Sequence, residues 1–179
     1  MGRRVLAGLL LVVFGGVAGF VLVNRTGDPE TTTRTVTRTV TEEDVGLPTA
    51  VEQRRAEILR AAEAGDHDAL ARLTPSRFTY TFGAPVADGP AAYWRQAEQR
   101  GERPLEALAA VLKLPYTLSR GIYVWPFAYD KSPDELTRYE ENLLRSIPGG
   151  APTLGPQGYL GWRAGIRPDG SWIYFVAGD

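Results

Sequence analysis

The sequence predicts an α+β fold in which about five helices pack on a mainly antiparallel sheet of three to five strands, ending in a C-terminal β-hairpin. Three observations carry this. Residues 158–179, GYLGWRAGIRPDGSWIYFVAGD, hold two runs of alternating apolar residues separated by a turn sequence. Segments beginning at Thr49, Asp66, Pro90, Pro104 and Ser132 carry apolar residues at spacings of three and four behind recognisable helix starts. Two short runs between them, RFTYTF and GIYVW, have the β-branched and aromatic content of strands.

The N-terminus precedes that domain and differs from it in composition. Met1-Gly2-Arg3-Arg4 leads into residues 5–23, an uncharged apolar run closed by Asn24 and Arg25. At about 1.5 Å per residue this run reaches across a hydrocarbon core of roughly 30 Å, so a single transmembrane anchor over residues 1–25 is expected, with the N-terminus inside. The alternative is a cleaved signal peptide, because a short basic start, an apolar stretch and small residues at Gly16 and Ala18 also satisfy that pattern. Both readings export the rest of the chain. Residues 26–46 are rich in threonine, with only Val36, Val40 and Val45 as apolar side chains, and read as a disordered, solvated stalk.

The globular domain is expected over residues 47–179. Thr49 with Glu52 three residues later predicts a capping box, and the helix it opens directs Val51, Ile58, Leu59 and Ala62 inward until Gly65. Asp66 is placed to cap a shorter helix carrying Leu70 and Leu73. Residues 77–82 alternate Phe78, Tyr80 and Phe82 against Arg77, Thr79 and Thr81, the pattern of a half-buried strand. Pro90 opens a third helix with Tyr93, Trp94 and Ala97 on one stripe, and residues 104–113 form a fourth with Leu105, Leu108, Ala109 and Leu112 inward. Residues 122–125 read as a strand stopped by Pro126. Ser132-Pro133-Asp134-Glu135 signals a fifth helix to about residue 146, burying Leu136, Tyr139, Leu143 and Ile147. In the hairpin, Arg167-Pro168-Asp169-Gly170 is the turn, and both faces of residues 171–177 are apolar, which predicts a sheet covered on both sides.

Residues 51–83, VEQRRAEILRAAEAGDHDALARLTPSRFTYTFG, together with the Asp169-Gly170-Ser171-Trp172 turn, resemble the nuclear-transport-factor-2-like superfamily. That resemblance implies a cone-shaped α+β domain with a pocket between the long helix and a curved sheet. Members range from small enzymes to binding and scaffold domains, so it implies no particular reaction. Residues 101–120 depart from it, reading as helix and loop where the superfamily supplies long paired strands.

Composition narrows the chemistry. The chain of 179 residues has 20 Lys and Arg against 21 Asp and Glu, a balance that gives no field for gathering nucleic acid. With no cysteine and one histidine, thiolate chemistry and multi-histidine metal sites are excluded, and no cofactor signature is present. His67 stands between Asp66 and Asp68, an arrangement of a helix-cap cluster or of a tuned base. The ligand-pocket candidates are Trp125, Tyr129, Asp130 and Arg163. Proline frees a strand edge beside the first three, with Asp130 as acid or base and Tyr129 as hydrogen-bond donor, while Arg163 projects from a sheet face where it can hold an anion. The tryptophans offer stacking for a sugar if they are exposed in line, and core packing otherwise. The expectation is a membrane-tethered, extracytoplasmic binding or accessory domain, non-enzymatic, held in the bilayer through residues 5–23 and directed at a protein, glycan or small molecule. The alternative is a small pocket enzyme or small-molecule binder of the nuclear-transport-factor-2-like type.

Overall fold

In the computed structural model the described residues are 46–149, 154–155 and 158–178, and the expected anchor and nearly all of the stalk lie outside them. Among the described residues no helix is long and apolar enough to cross a membrane. The domain is α+β, with five helices: α1 (Thr49–Glu63), α2 (His67–Leu73), α3 (Gly89–Gln99), α4 (Pro104–Lys113) and α5 (Arg138–Arg145). Strands β1 (Thr117–Ser119), β2 (Ile122–Trp125), β5 (Arg163–Ile166) and β6 (Trp172–Val176) form an antiparallel sheet in the order β1-β2-β5-β6. A separate pair, β3 (Leu154–Gly155) and β4 (Gly158–Tyr159), stands before the hairpin.

The hairpin turn forms as its sequence dictates. Gly170 takes φ +83°, its N–H donates to Arg167 O, and Ser171 N–H donates to Asp169 Oδ1. That turn seats on the start of α1: Arg54 Nε donates to Gly170 O at 3.0 Å, and a Cβ on Gly170 would lie 2.8 Å from Ala50 O. Glycine is therefore required there twice over, by backbone conformation and by the closeness of the helix.

Strict alternation does not hold in β6. The register passes from Gly165 opposite Tyr174 to Ile166 opposite Trp172, so Ile173 is an extra residue, a bulge. The bulge brings Trp172 and Phe175 onto the same face, where both rings lie about 6 Å from Trp94 on α3. It also frees Ile173 O to accept from Thr79 N–H, while Thr79 O accepts from Phe175 N–H. The run 77–82 thus contributes one parallel bridge, Thr79 to Tyr174, in place of the expected strand. Phe78 packs against Trp94 and Trp172, and Phe82 is left exposed.

Other starts and stops follow local chemistry with instructive departures. Asp66 caps α2, its Oδ1 accepting from Ala69 N–H at 2.8 Å. α1 begins at Thr49 without the expected capping box, because Pro48 is the cap residue and its carbonyl accepts from Val51 and Glu52 N–H. α4 has the expected bounds and lies buried along most of its length. β1 forms in a stretch whose pattern reads as loop, its three residues held by their pairing with β2. The fifth helix is split. The Ser132 signal makes only a 3-10 turn, Pro133–Glu135, and a second box then opens α5, where Glu140 Oε2 accepts from Thr137 N–H and Glu140 N–H donates to Thr137 Oγ1. The restart changes the helical phase. Leu144 and Ile147 enter the core, whereas Tyr139, expected inside, is 72% exposed.

Candidate functional site

Register decides which candidates share a side. Trp125 lies opposite Ala164, and Ala164 opposite Phe175, on the face that meets the helices. Neighbours along a strand point to opposite faces, so Arg163 lies on the other face, in line with Gly165. Trp125 is fully buried, with Tyr116 at 5.6 Å between ring centroids and the Arg55 guanidinium 5.8 Å from its own. It is a core residue, separated by the sheet from the other three.

Tyr129 and Asp130 belong to a 3-10 turn, Phe127–Asp130, that follows Pro126. Phe127 and Ala128 are buried in the core, leaving Tyr129 half-buried and Asp130 exposed. Asp130 accepts from Ser119 Oγ at 3.2 Å, tying this turn to the end of β1. Ser119, Thr117, Val124 and Gly165 fall on the same face by their pairings. Across that face lies Tyr174, opposite Gly165. Burial is the main influence on the Tyr174 phenol and pushes its pKa well above the usual tyrosine range, with the negative ends of Tyr129 and Asp130 adding to the rise and Arg163 opposing it. The charges of Tyr129, Asp130 and Arg163 thus reach the Tyr174 phenol, although no direct bond to it is formed among the described residues, and the sequence pattern places Tyr174 only in the sheet. Its signal was in the register: glycine opposite tyrosine lets the ring lie flat across the neighbouring strand.

Arg163 is buried at 9% exposure and carries no ion pair among the described residues. Its Nη2 donates to Gly178 O at 2.6 Å and its Nη1 to Gly161 O at 3.3 Å, while the Phe82 ring lies 5.4 Å from the guanidinium carbon. Two carbonyls flanking the open end of the hairpin thus hold the charge, as a clamp on the ends of β5 and β6. Beside it, Tyr159 donates to Trp162 O, and burial raises that phenol's pKa also.

The remaining candidates resolve individually. His67 Nε2 is 3.0 Å from Glu98 Oε2 on α3, while its two sequence neighbours are engaged elsewhere, Asp66 as the α2 cap and Asp68 with Arg95. That Arg95 contact is the main reason the Asp68 carboxyl is held below its usual range. Trp94, Trp125 and Trp172 are fully buried and Trp162 is half-buried, stacked on Phe175 at 4.8 Å, so no line of exposed tryptophans exists for a sugar ring. Groups of three or more His, Cys, Asp or Glu side chains able to hold a metal are absent among the described residues. Set against protein-family models, curated proteins and solved structures, the chain has no match.

Proposed function

We propose that this chain is a membrane-tethered binding or accessory domain, presented outside the cytoplasm on a threonine-rich stalk and acting without catalysis. The observation that carries the reading is the order of the chain: an uncharged apolar run at residues 5–23, a stretch without core-forming residues, then a domain with its own buried core. In support, the charged groups best suited to chemistry are spent on the fold, Arg163 on two carbonyls, Asp130 on Ser119 and His67 on Glu98. The test is protease protection and carbonate extraction of the full chain bearing a C-terminal tag, in its own host. A tag that stays with the membrane pellet and is cleaved from outside supports the proposal. A tag reachable only from the cytoplasm, or a shortened chain free in the external medium, overturns the tethered arrangement.

A second reading, a small-molecule pocket of the nuclear-transport-factor-2-like kind, draws on the influence of Tyr129, Asp130 and Arg163 on the Tyr174 phenol. A ligand-observed NMR screen with metabolites, repeated with Asp130→Asn and Tyr174→Phe, separates the two. Hits lost in either folded variant favour the pocket, and hits indifferent to both remove it.

A further inference from the structure

Among the described residues Arg163 alone of the charged side chains is buried, and it has no carboxylate partner there. Arginine is rarely taken so far out of water unless it is paired, because the lost hydration of a full charge is not repaid by neutral acceptors alone. The carbonyls of Gly161 and Gly178 accept from Nη1 and Nη2 and so occupy two of the five N–H donors that a guanidinium carries. The other donors and the net charge are left without a counterpart.

The surroundings define what would answer that charge. Tyr174 lies across β5 with its hydroxyl 2.8 Å from where a Cβ on Gly165 would stand. Arg163 is two residues back on the same face of that strand, about 7 Å at about 3.3 Å per residue. The Tyr174 hydroxyl makes no hydrogen bond among the described residues, and burial keeps it in the protonated, donating form. The walls are apolar. Val176, opposite Arg163, is buried, and the Phe82 ring lies 5.4 Å from the guanidinium carbon and is half exposed, leading from the charge to the surface. Asp130 accepts from Ser119 and acts on the Tyr174 phenol, so a ligand with a second negative charge would be opposed from that side. One cation, one neutral donor and apolar walls suit a single carboxylate, whose planar oxygens match a guanidinium, on an apolar body.

We infer that Arg163, with the Tyr174 hydroxyl as second donor, anchors an anion site on the outer face of the β5–β6 hairpin that takes a small apolar monocarboxylate. This rests on the binding-domain reading and names the ligand class of that domain.

The test is saturation-transfer NMR of benzoate with the full chain in phosphatidylcholine nanodiscs, empty nanodiscs serving as the blank and benzamide as the neutral counterpart. Benzoate should bind saturably with a dissociation constant below about 5 mM, and benzamide at least about tenfold more weakly. Arg163→Gln should abolish the benzoate signal. Since that variant also loses the clamp on the hairpin, two others keep the test independent of folding. Tyr174→Phe should weaken benzoate at least about threefold, and Asp130→Asn should leave it as tight or tighter. Benzoate that binds no better than benzamide, that is indifferent to Tyr174→Phe, or that is lost with Asp130→Asn overturns the site. So does binding seen only after Asp179→Asn, which would assign the charge of Arg163 to the acid that follows Gly178. The protease-protection experiment is independent of these outcomes, so a failed site and a failed tethered domain are told apart.

Discussion

Tyr174 lies across Gly165: a Cβ built on that glycine would sit 2.4 Å from the ring. The contact joins β5 to β6 on the outer face and lays the phenol across β5. Adding a methyl group there should displace the ring. Because the blocking atoms are the far end of a side chain, Gly165→Ala should cost about 1 kcal/mol, the low end of overpacking costs, read by urea unfolding. In a Tyr174→Ala background the same substitution should cost markedly less. Equal costs in both backgrounds would show that the ring is not what limits the site.

Arg163→Met should destabilise the domain by about 2 kcal/mol, because it strips the Gly161 and Gly178 carbonyls of a charged donor and removes the stack on Phe82. Arg163→Lys should recover only part of this, since one ammonium does not reproduce a two-pronged donor. Denaturant titration that finds lysine equal to arginine would count against the clamp.

Thr137→Ala should lower stability by about 1 kcal/mol through loss of the cap of α5. Its partner Glu140 gives the pH counterpart. Burial raises the Glu140 carboxyl, but Lys131 at 2.6 Å and the Thr137 donors outweigh it, so the folded pKa lies below the ordinary value of 4.5. A depressed carboxylate contributes stability above its unfolded pKa and loses it as pH falls through the folded one. Glu140→Gln should therefore shrink the difference in melting temperature between neutral pH and pH below 4.5. An unchanged acid slope would place the acid sensitivity elsewhere.

At high pH the sign reverses. Tyr159 and Tyr174 have folded pKa values raised above 10.0, chiefly by burial, so their contribution is complete below pH 10 and declines as pH rises through the raised values. Tyrosinate absorbance should show Tyr159 and Tyr174 ionising only above pH 10, together with loss of structure. In the Tyr159→Phe, Tyr174→Phe double variant the absorbance change of that step should shrink, and an unchanged amplitude would count against both assignments.

The sequence by itself determined what depends on a few neighbouring residues. The bounds of α4, the Asp66 cap, the Arg167 to Gly170 turn and the extent of β2 were all legible, since prolines, caps and left-handed glycines act within one turn of chain. Tertiary structure decided what depends on partners distant in sequence. The run 77–82 has the alternation of a strand, yet only Thr79 meets the free edge of β6, at the carbonyl that the Ile173 bulge turns outward. Tyr139 fits an inward stripe only if the helix starts at Ser132, and the second box at Thr137 resets that phase. For the candidate site, residue types suggested Trp125, Tyr129, Asp130 and Arg163 together, and pairing register placed Trp125 on the face opposite Arg163 and Tyr174 on the same face as Arg163. Pattern along a strand fixes which residues alternate. The side each one faces, and what it meets there, is set only when the strands pair, because a shift of one residue exchanges the two faces of a sheet.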